Sequence, residues 1–474
     1  MKNVIKVLLI TVFSSLLFLA GCDDYLNIND DPNNPTSAPA LGLLTNTTFE
    51  TAQNTYRMGS TTSFYVQYLA SPNTGSALDT QEELSFGNDW FNLYDVLTDL
   101  SDLELLAEEE GATQLVGIAK ILKAYNLALL VDSWGDVPYE EAFFVETLNP
   151  SYDDQSELYG TISTLLEDGI QQLQQQNSTI NASNEDFIYG GDSAKWIQLG
   201  HMLQARYLNH LSKQSSYNPA DVLSALDNGF ASNDDDAQVT YYDSQVNPWA
   251  SVAIANAGLI LGGWISEQTV EHLDGTTYGV EDPRISFLFA PNEDDVFVGV
   301  ENGAGRGNAP ESGAFSVLST DNYYSARTAP IIIASYAEQK FIEAEAALNT
   351  NPAQPARAYQ AYLDGIEAHM DKLGVDPVEK DAYLNDPAVA VGSGTLSVDD
   401  VMREKYVALF LHPETWVDAR RYDYSYANMT TPANLNQDLG GQFIRRLAYP
   451  ESETQRNGQN VPDVSLTDRL FWDQ

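Results

Sequence analysis

From residue 41 onward, apolar positions recur at intervals of three and four, the spacing that gathers them on one face of an α-helix. Ala112–Val131 places Leu115, Ile118, Ala119, Leu122, Tyr125 and Leu129 on one side. Glu157–Leu173 repeats this with Leu158, Ile162, Leu165, Leu166, Ile170 and Leu173. A third helix, capped by Ser193, carries Trp196, Leu199, Leu203, Tyr207 and Leu211, and a short fourth starts at Pro219 and stops at Gly229. The pattern lapses between 230 and 330, where glycine, proline and acidic runs leave one expected helix, around Ala250–Thr269. It returns over Ala334–Leu348, Pro355–Leu373 and Val398–Phe410, and the tail after Arg421 reads as loop.

Paired amphipathic helices joined by short turns predict hairpins stacked into a curved array. Trp196, Leu199 and Gly200, with Ala205, partly match the W-x-x-L-G opening of a tetratricopeptide unit, although no clean 34-residue repeat recurs. The expected fold is therefore mainly α. It is a tetratricopeptide-like helix-pair scaffold forming one domain over 41–474, with a loop-rich insertion at about 230–330 of the kind that often carries function.

The first residues follow a different rule. Lys2 and Lys6 precede an apolar run, Val7–Phe13 and Leu16–Leu19, that is short for a bilayer span. It closes on Leu19-Ala20-Gly21-Cys22, followed by Asp23 and Asp24. A basic start, a short apolar stretch and small residues at the cut predict a secretory leader over 1–21. Leu-Ala-Gly-Cys resembles a bacterial lipobox, and Cys22 is the only cysteine in the sequence, so acylation is the expected fate of its thiol. Residues 22–40, rich in Asp, Asn and Pro, read as an acylated start and flexible tether.

Charge narrows the partners. The 474 residues carry a formal net charge of -45, which disfavours nucleic acid and strongly anionic ligands. The 26 tyrosines and 7 tryptophans suit ligands with both apolar and hydroxylated faces. Catalytic motifs are missing. His201, His210, His272, His369 and His412 show no H-x-x-x-H spacing, so neither a metal nor a cofactor is expected. Gly303–Gly307 lacks the lysine of a phosphate loop, and no G-x-S-x-G elbow occurs. Asp234–Asp236 and Glu293–Asp295 read as solvated acidic runs, and among 68 acidic residues a carboxylate pair has no specificity for glycoside hydrolysis. No enzyme is expected.

Several segments, taken in order, resemble the SusD/RagB family of Bacteroidetes outer-membrane lipoproteins. They are Cys22–Leu26 with Asp31–Thr36, Trp134–Tyr139, Tyr336–Ala346, Arg403–Phe410 with Trp416 and Ala419–Arg421, and Arg445–Pro450. The resemblance implies a helix-pair fold on the cell surface that captures substrate for a partner TonB-dependent (SusC-like) transporter, mostly oligosaccharide and in some relatives peptide. The shared motifs read as architecture: Trp134 and Pro138 setting a turn, Asp136 capping the next helix, Arg403 and Arg420 pairing with buried carboxylates, and Trp196, Trp416 and Trp472 in the core.

Ligand residues are then sought in loops. Trp90, Trp249 and Trp264, with Tyr241, Tyr242, Asp321, Asn322, Tyr323, Tyr324 and Arg306, supply rings for the apolar face of a pyranose and polar groups for its hydroxyls. Such shallow sites bind at about 4–8 kcal/mol, micromolar to millimolar. The acidic balance favours a neutral glucan-type ligand. The alternatives are a peptide ligand, a lipid-anchored glycoside hydrolase, and a purely structural surface lipoprotein.

Overall fold

Three long helices open the described part of the chain: α1 (Ala40–Tyr65), α2 (Gly87–Glu110) and α3 (Thr113–Trp134). The computed structural model describes residues 39–143, 147–257, 262–307 and 312–474. The leader, Cys22 and nearly all of the tether lie outside them. Gly111 ends α2 at a left-handed φ of 69°, and the N–H of Ala112 returns to the Ala107 carbonyl, so the chain reverses directly into α3. α3 is apolar all round and long enough to cross a bilayer, but it is buried as the central core helix.

Helices α4 (Gln155–Gln174), α5 (Ser193–His210) and α6 (Pro219–Leu226) follow as neighbours, α4 packing on α3, α5 on α4 and α6 on α5. Two glycines let α3 and α4 approach closely. A Cβ on Gly117 would lie 2.6 Å from Leu173 and 2.8 Å from the Gly169 carbonyl. The cap of α5 is not Ser193 but Asp192, whose carboxylate accepts from Ala194 N–H at 2.9 Å and Lys195 N–H at 3.3 Å. A carboxylate one residue earlier meets the same unpaired N–H groups and adds charge where the helix end is positive.

The second half repeats the scheme with α10 (Tyr336–Asn349), α11 (Pro355–Leu373), α12 (Pro377–Leu384), α13 (Val398–Ala408) and α14 (Glu414–Arg421), and ends with the short α15 (Glu451–Arg456). Between the halves lies the loop-rich segment. Its helix expected over Ala250–Thr269 is divided into α7 (Pro248–Ala257) and α8 (Glu267–Leu273), separated by a strand; α9 (Ile285–Leu288) follows. Gly263, at φ 89°, ends any helical path, and Trp264–Ile265 is extended instead. Two small antiparallel ribbons tie the segment down: β1 (Leu69–Ala70) with β3 (Trp264–Ile265), and β2 (Ala237–Thr240) with β4 (Pro330–Ala334).

Buried arginines join the halves. Glu338 and Glu345 stand two turns apart on one face of α10. Glu338 holds Arg206 of α5 at 2.6 Å, and Glu345 holds Arg421 of α14 at 2.7 Å. Asp418 also binds Arg421, at 2.6 Å, and Lys405 at 2.8 Å. Arg403 lies 3.5 Å from Glu404 and covers the Tyr278 ring at 3.9 Å. Arg420 departs from expectation. Its guanidinium donates to the carbonyls of Asp132, Arg445 and Trp416, and stacks on Trp416 at 3.6 Å and Trp472 at 4.8 Å. Indole faces and main-chain oxygens leave no room there for a carboxylate pair. Asp136 accepts from the N–H of Gln155, the first residue of α4, while Asp154 is the cap itself.

Candidate functional site

The ten residues proposed from sequence do not converge. Trp90 is 2% exposed and stands edge-on to Trp134 at 5.3 Å and to Tyr449 at 6.1 Å, with Tyr152 beside it. It thereby joins the Trp134–Tyr139 turn to the Arg445–Pro450 segment. Trp264, also 2% exposed, forms a small separate core with Ala70, Val300 and Phe315. Tyr324 is buried with its hydroxyl 3.0 Å from His369 Nε2, and buried Asn322 donates to the Ser286 carbonyl at 3.1 Å. Trp264, Asn322 and Tyr324 are thus taken up in packing the loop segment, and Trp90 in packing the scaffold. Their faces are not available to a sugar. Asp321 is exposed and Tyr323 half-buried on one turn, and half-buried Arg306 lies on another.

Tyr241 and Trp249 are different, because they meet α1. Asn247 caps α7, accepting from Trp249 N–H at 2.7 Å, and Pro248 takes the first helical position. This fixes Trp249, 4% exposed, edge-on to the ring of Tyr56 at 4.9 Å. Tyr241, buried rather than open as expected, receives a hydrogen bond from Gln53 Nε2 at 2.7 Å and packs beside Phe49 at 5.9 Å. Tyr242, on the turn after β2, is 65% exposed. Trp249 and Tyr241 thus act as backing for residues on α1.

Those residues form a stripe. Phe49, Glu50, Gln53, Tyr56, Arg57 and Ser60 are all partly exposed at helical spacing, covering about 16 Å of helix. Arg57 Nη1 donates to Glu50 at 2.9 Å and to Asn54 at 2.7 Å, which holds the guanidinium along the helix surface. Its hydrogen bonds among the described residues use Nη1 alone, so Nε and Nη2 remain for a ligand. Burial raises the Tyr56 phenol, with Arg57 opposing and Asp89 adding to the shift. Tyr56 therefore stays a neutral donor at neutral pH. Burial likewise raises the Asp89 carboxyl, against the pull of Arg57.

The reverse face of α1 explains why sequence missed this stripe. Thr47, Thr48, Thr51 and Thr55 are buried, each hydroxyl returning to the carbonyl four residues earlier at 2.7–3.0 Å. Asn54 donates to Asn126 at 3.1 Å, and Asn126 to Thr51 at 2.9 Å. A threonine face turned inward and a ring-bearing face turned outward invert the usual rule. Phe49 and Tyr56 would ordinarily be assigned to the core.

Residues 32–450 match the family described as "Starch-binding associating with outer membrane". The chain belongs to the SusD-like family. A SusD/RagB family protein from Bacteroides thetaiotaomicron VPI-5482 has a TM-score of 0.76 at 24% identity, over 92% of this chain and 99% of that one. A chitin-binding SusD homologue from Flavobacterium johnsoniae gives 0.75 at 20%, over 91% and 97%. A SusD homologue from Bacteroides fragilis NCTC 9343 gives 0.74 at 21%, over 92% and 100%. No curated protein matches the chain.

SusD-like proteins bind carbohydrate and associate with the outer membrane, and the α1 stripe has the means for such a ligand. It offers partly exposed rings, a neutral phenol, one amide and one guanidinium along a line. It brings no nucleophile beside a base. Among the described residues, no group of three His, Cys, Asp or Glu side chains is placed to hold a metal ion.

Proposed function

We propose that this chain captures a neutral glycan at the α1 stripe and passes it to a TonB-dependent transporter, held at the cell surface by acylation of Cys22. The observation that carries the site is the line of Tyr56, Arg57 and Gln53, backed by Trp249 and Tyr241. A half-exposed ring covers the apolar face of a sugar, while the amide and guanidinium bond its hydroxyls. The starch-binding family description and a chitin-binding structural relative both concern neutral polymers, which agrees with the chain's strong negative charge. The protein performs no bond chemistry in this reading. Transient capture needs only a weak site, in the micromolar to millimolar range of about 4–8 kcal/mol.

Native electrophoresis through gels containing soluble starch or glycol chitin tests the assignment. The wild type should be retarded in at least one of them. Tyr56→Ala and Arg57→Ala should run as in a gel without polymer while keeping the wild-type circular dichroism. Arg306→Ala, on the Gly303–Gly307 loop, should stay retarded. Full retardation of both Tyr56→Ala and Arg57→Ala would move the site elsewhere.

A further inference from the structure

An open groove of about 760 Å³ is bounded by α4, α5 and α6. It shares no lining residue with the α1 stripe. Its floor is aliphatic and half-buried, with Leu208, Leu211 and Ala225. Along its rim stand Ser163, Gln204, Gln214 and Asn228, and the acidic side chains lining it are Glu167 and Asp221. No lysine or arginine lines it. Burial keeps His201 below its usual range, with a hydrogen bond to Gln204 at 3.0 Å opposing, so this ring adds no charge at neutral pH.

Its aromatic residues are poor platforms for sugar. Tyr159 and Tyr207 are each 6% exposed and stand edge-on to one another at 6.3 Å. Phe471 meets Tyr159 edge-on at 4.9 Å, and the Tyr159 hydroxyl is turned inward to Asp132 and His210. An aliphatic floor, amide and hydroxyl rims and two carboxylates suit a polypeptide instead. Its main chain would bond Gln204, Gln214 and Asn228, its apolar side chains would fill the floor, and a cation would face Glu167 or Asp221.

We propose that the α4–α6 groove is a docking site for a short segment of a partner protein that bears apolar anchors and at least one lysine or arginine. Charge decides against the two other occupants. Residues 22–39 of this chain contain four aspartates and no basic residue, and a second copy would bring its own charge of -45.

The test uses the full chain and a displayed library of random 12-residue peptides. The enriched peptides should combine Leu, Ile, Met or Phe with Lys or Arg. One of them, labelled and followed by fluorescence anisotropy, should bind at least about tenfold more weakly to Ser224→Trp, which fills the groove, and to Glu167→Lys, which reverses its charge. Both substitutions sit at exposed helix positions. Retardation by glycan should be unchanged in both, which separates this site from the α1 stripe. Enrichment of acidic peptides, no enrichment, or equal binding to all three proteins would overturn the proposal, as would displacement of the peptide by oligosaccharide.

Discussion

Arg420 and Arg421 meet the same problem, burial of a cation, in opposite ways. Arg421 is surrounded by Glu345 and Asp418, and their charges hold its guanidinium well above its ordinary value despite burial. Arg420 has carbonyls and indole rings, and burial pulls it down to about 10. Arg421→Met strands the buried Glu345 carboxylate, while Asp418 keeps Lys405, and is expected to cost about 3–5 kcal/mol in urea unfolding. Arg420→Met leaves no orphaned charge and should cost less.

Glu345 gives the sign of the acid response. Burial pushes its carboxyl up, but Arg421, Lys405 and Tyr422 outweigh burial and set it at about 2. A folded value below the unfolded one stabilises above the unfolded value, near 4.3, and that stability is lost as pH falls towards 2. His272 and His412, buried and held at about 3, act earlier: they are neutral in the fold and gain protons on unfolding below about 6.5. The unfolding free energy should therefore fall from about pH 6.5 downward and more steeply below about 4.3. Glu345→Gln should be less stable at pH 7 and show a shallower second decline.

At the scale of elements, the α3–α4 crossing depends on what glycine lacks. Alanine normally favours a helix interior by about 1 kcal/mol over glycine. Gly117→Ala should nevertheless lower the melting temperature, because its methyl would meet Leu173 and the Gly169 carbonyl at 2.6 and 2.8 Å. Gly160→Ala on the open side of α4, where nothing lies within 4 Å, should raise it slightly. The amphipathic helices around this crossing were legible in sequence. Leu115, Ile118 and Leu122, or Leu158, Ile162 and Leu166, can share a face only in a helix, and all six are buried there. The proposed binding stripe was not legible for the same reason. Periodicity reports which residues share a face, but α1 buries Thr51 and Thr55 and exposes Tyr56. Only its contacts with Asn126, Tyr125 and Trp249 reveal which side is inside. Trp90 and Trp264 misled in the converse way, since a buried tryptophan serves equally well as a fastener.

For the whole molecule, the charge of -45 separates the two proposed surfaces by their response to salt. A neutral glycan releases no counterions, so its retardation should be the same at about 0.05 and 0.5 M sodium chloride. The cationic peptide should bind more weakly at the higher salt, because Glu167 and Asp221 face solvent. Anisotropy at the two concentrations measures the second effect.

The ion pairs of Arg206 and Arg421 lie where dissolved salt does not reach them. Their cost is the water stripped from the charges, and that cost shrinks on warming because hydration of ions grows less favourable. The seam that α10 makes with α5 and α14 should accordingly tolerate heat better than the mainly apolar contact of α3 with α4 around Gly117 and Leu173. When the molecule is warmed slowly, amide exchange should quicken first in α3 and α4 and last along Glu338–Glu345.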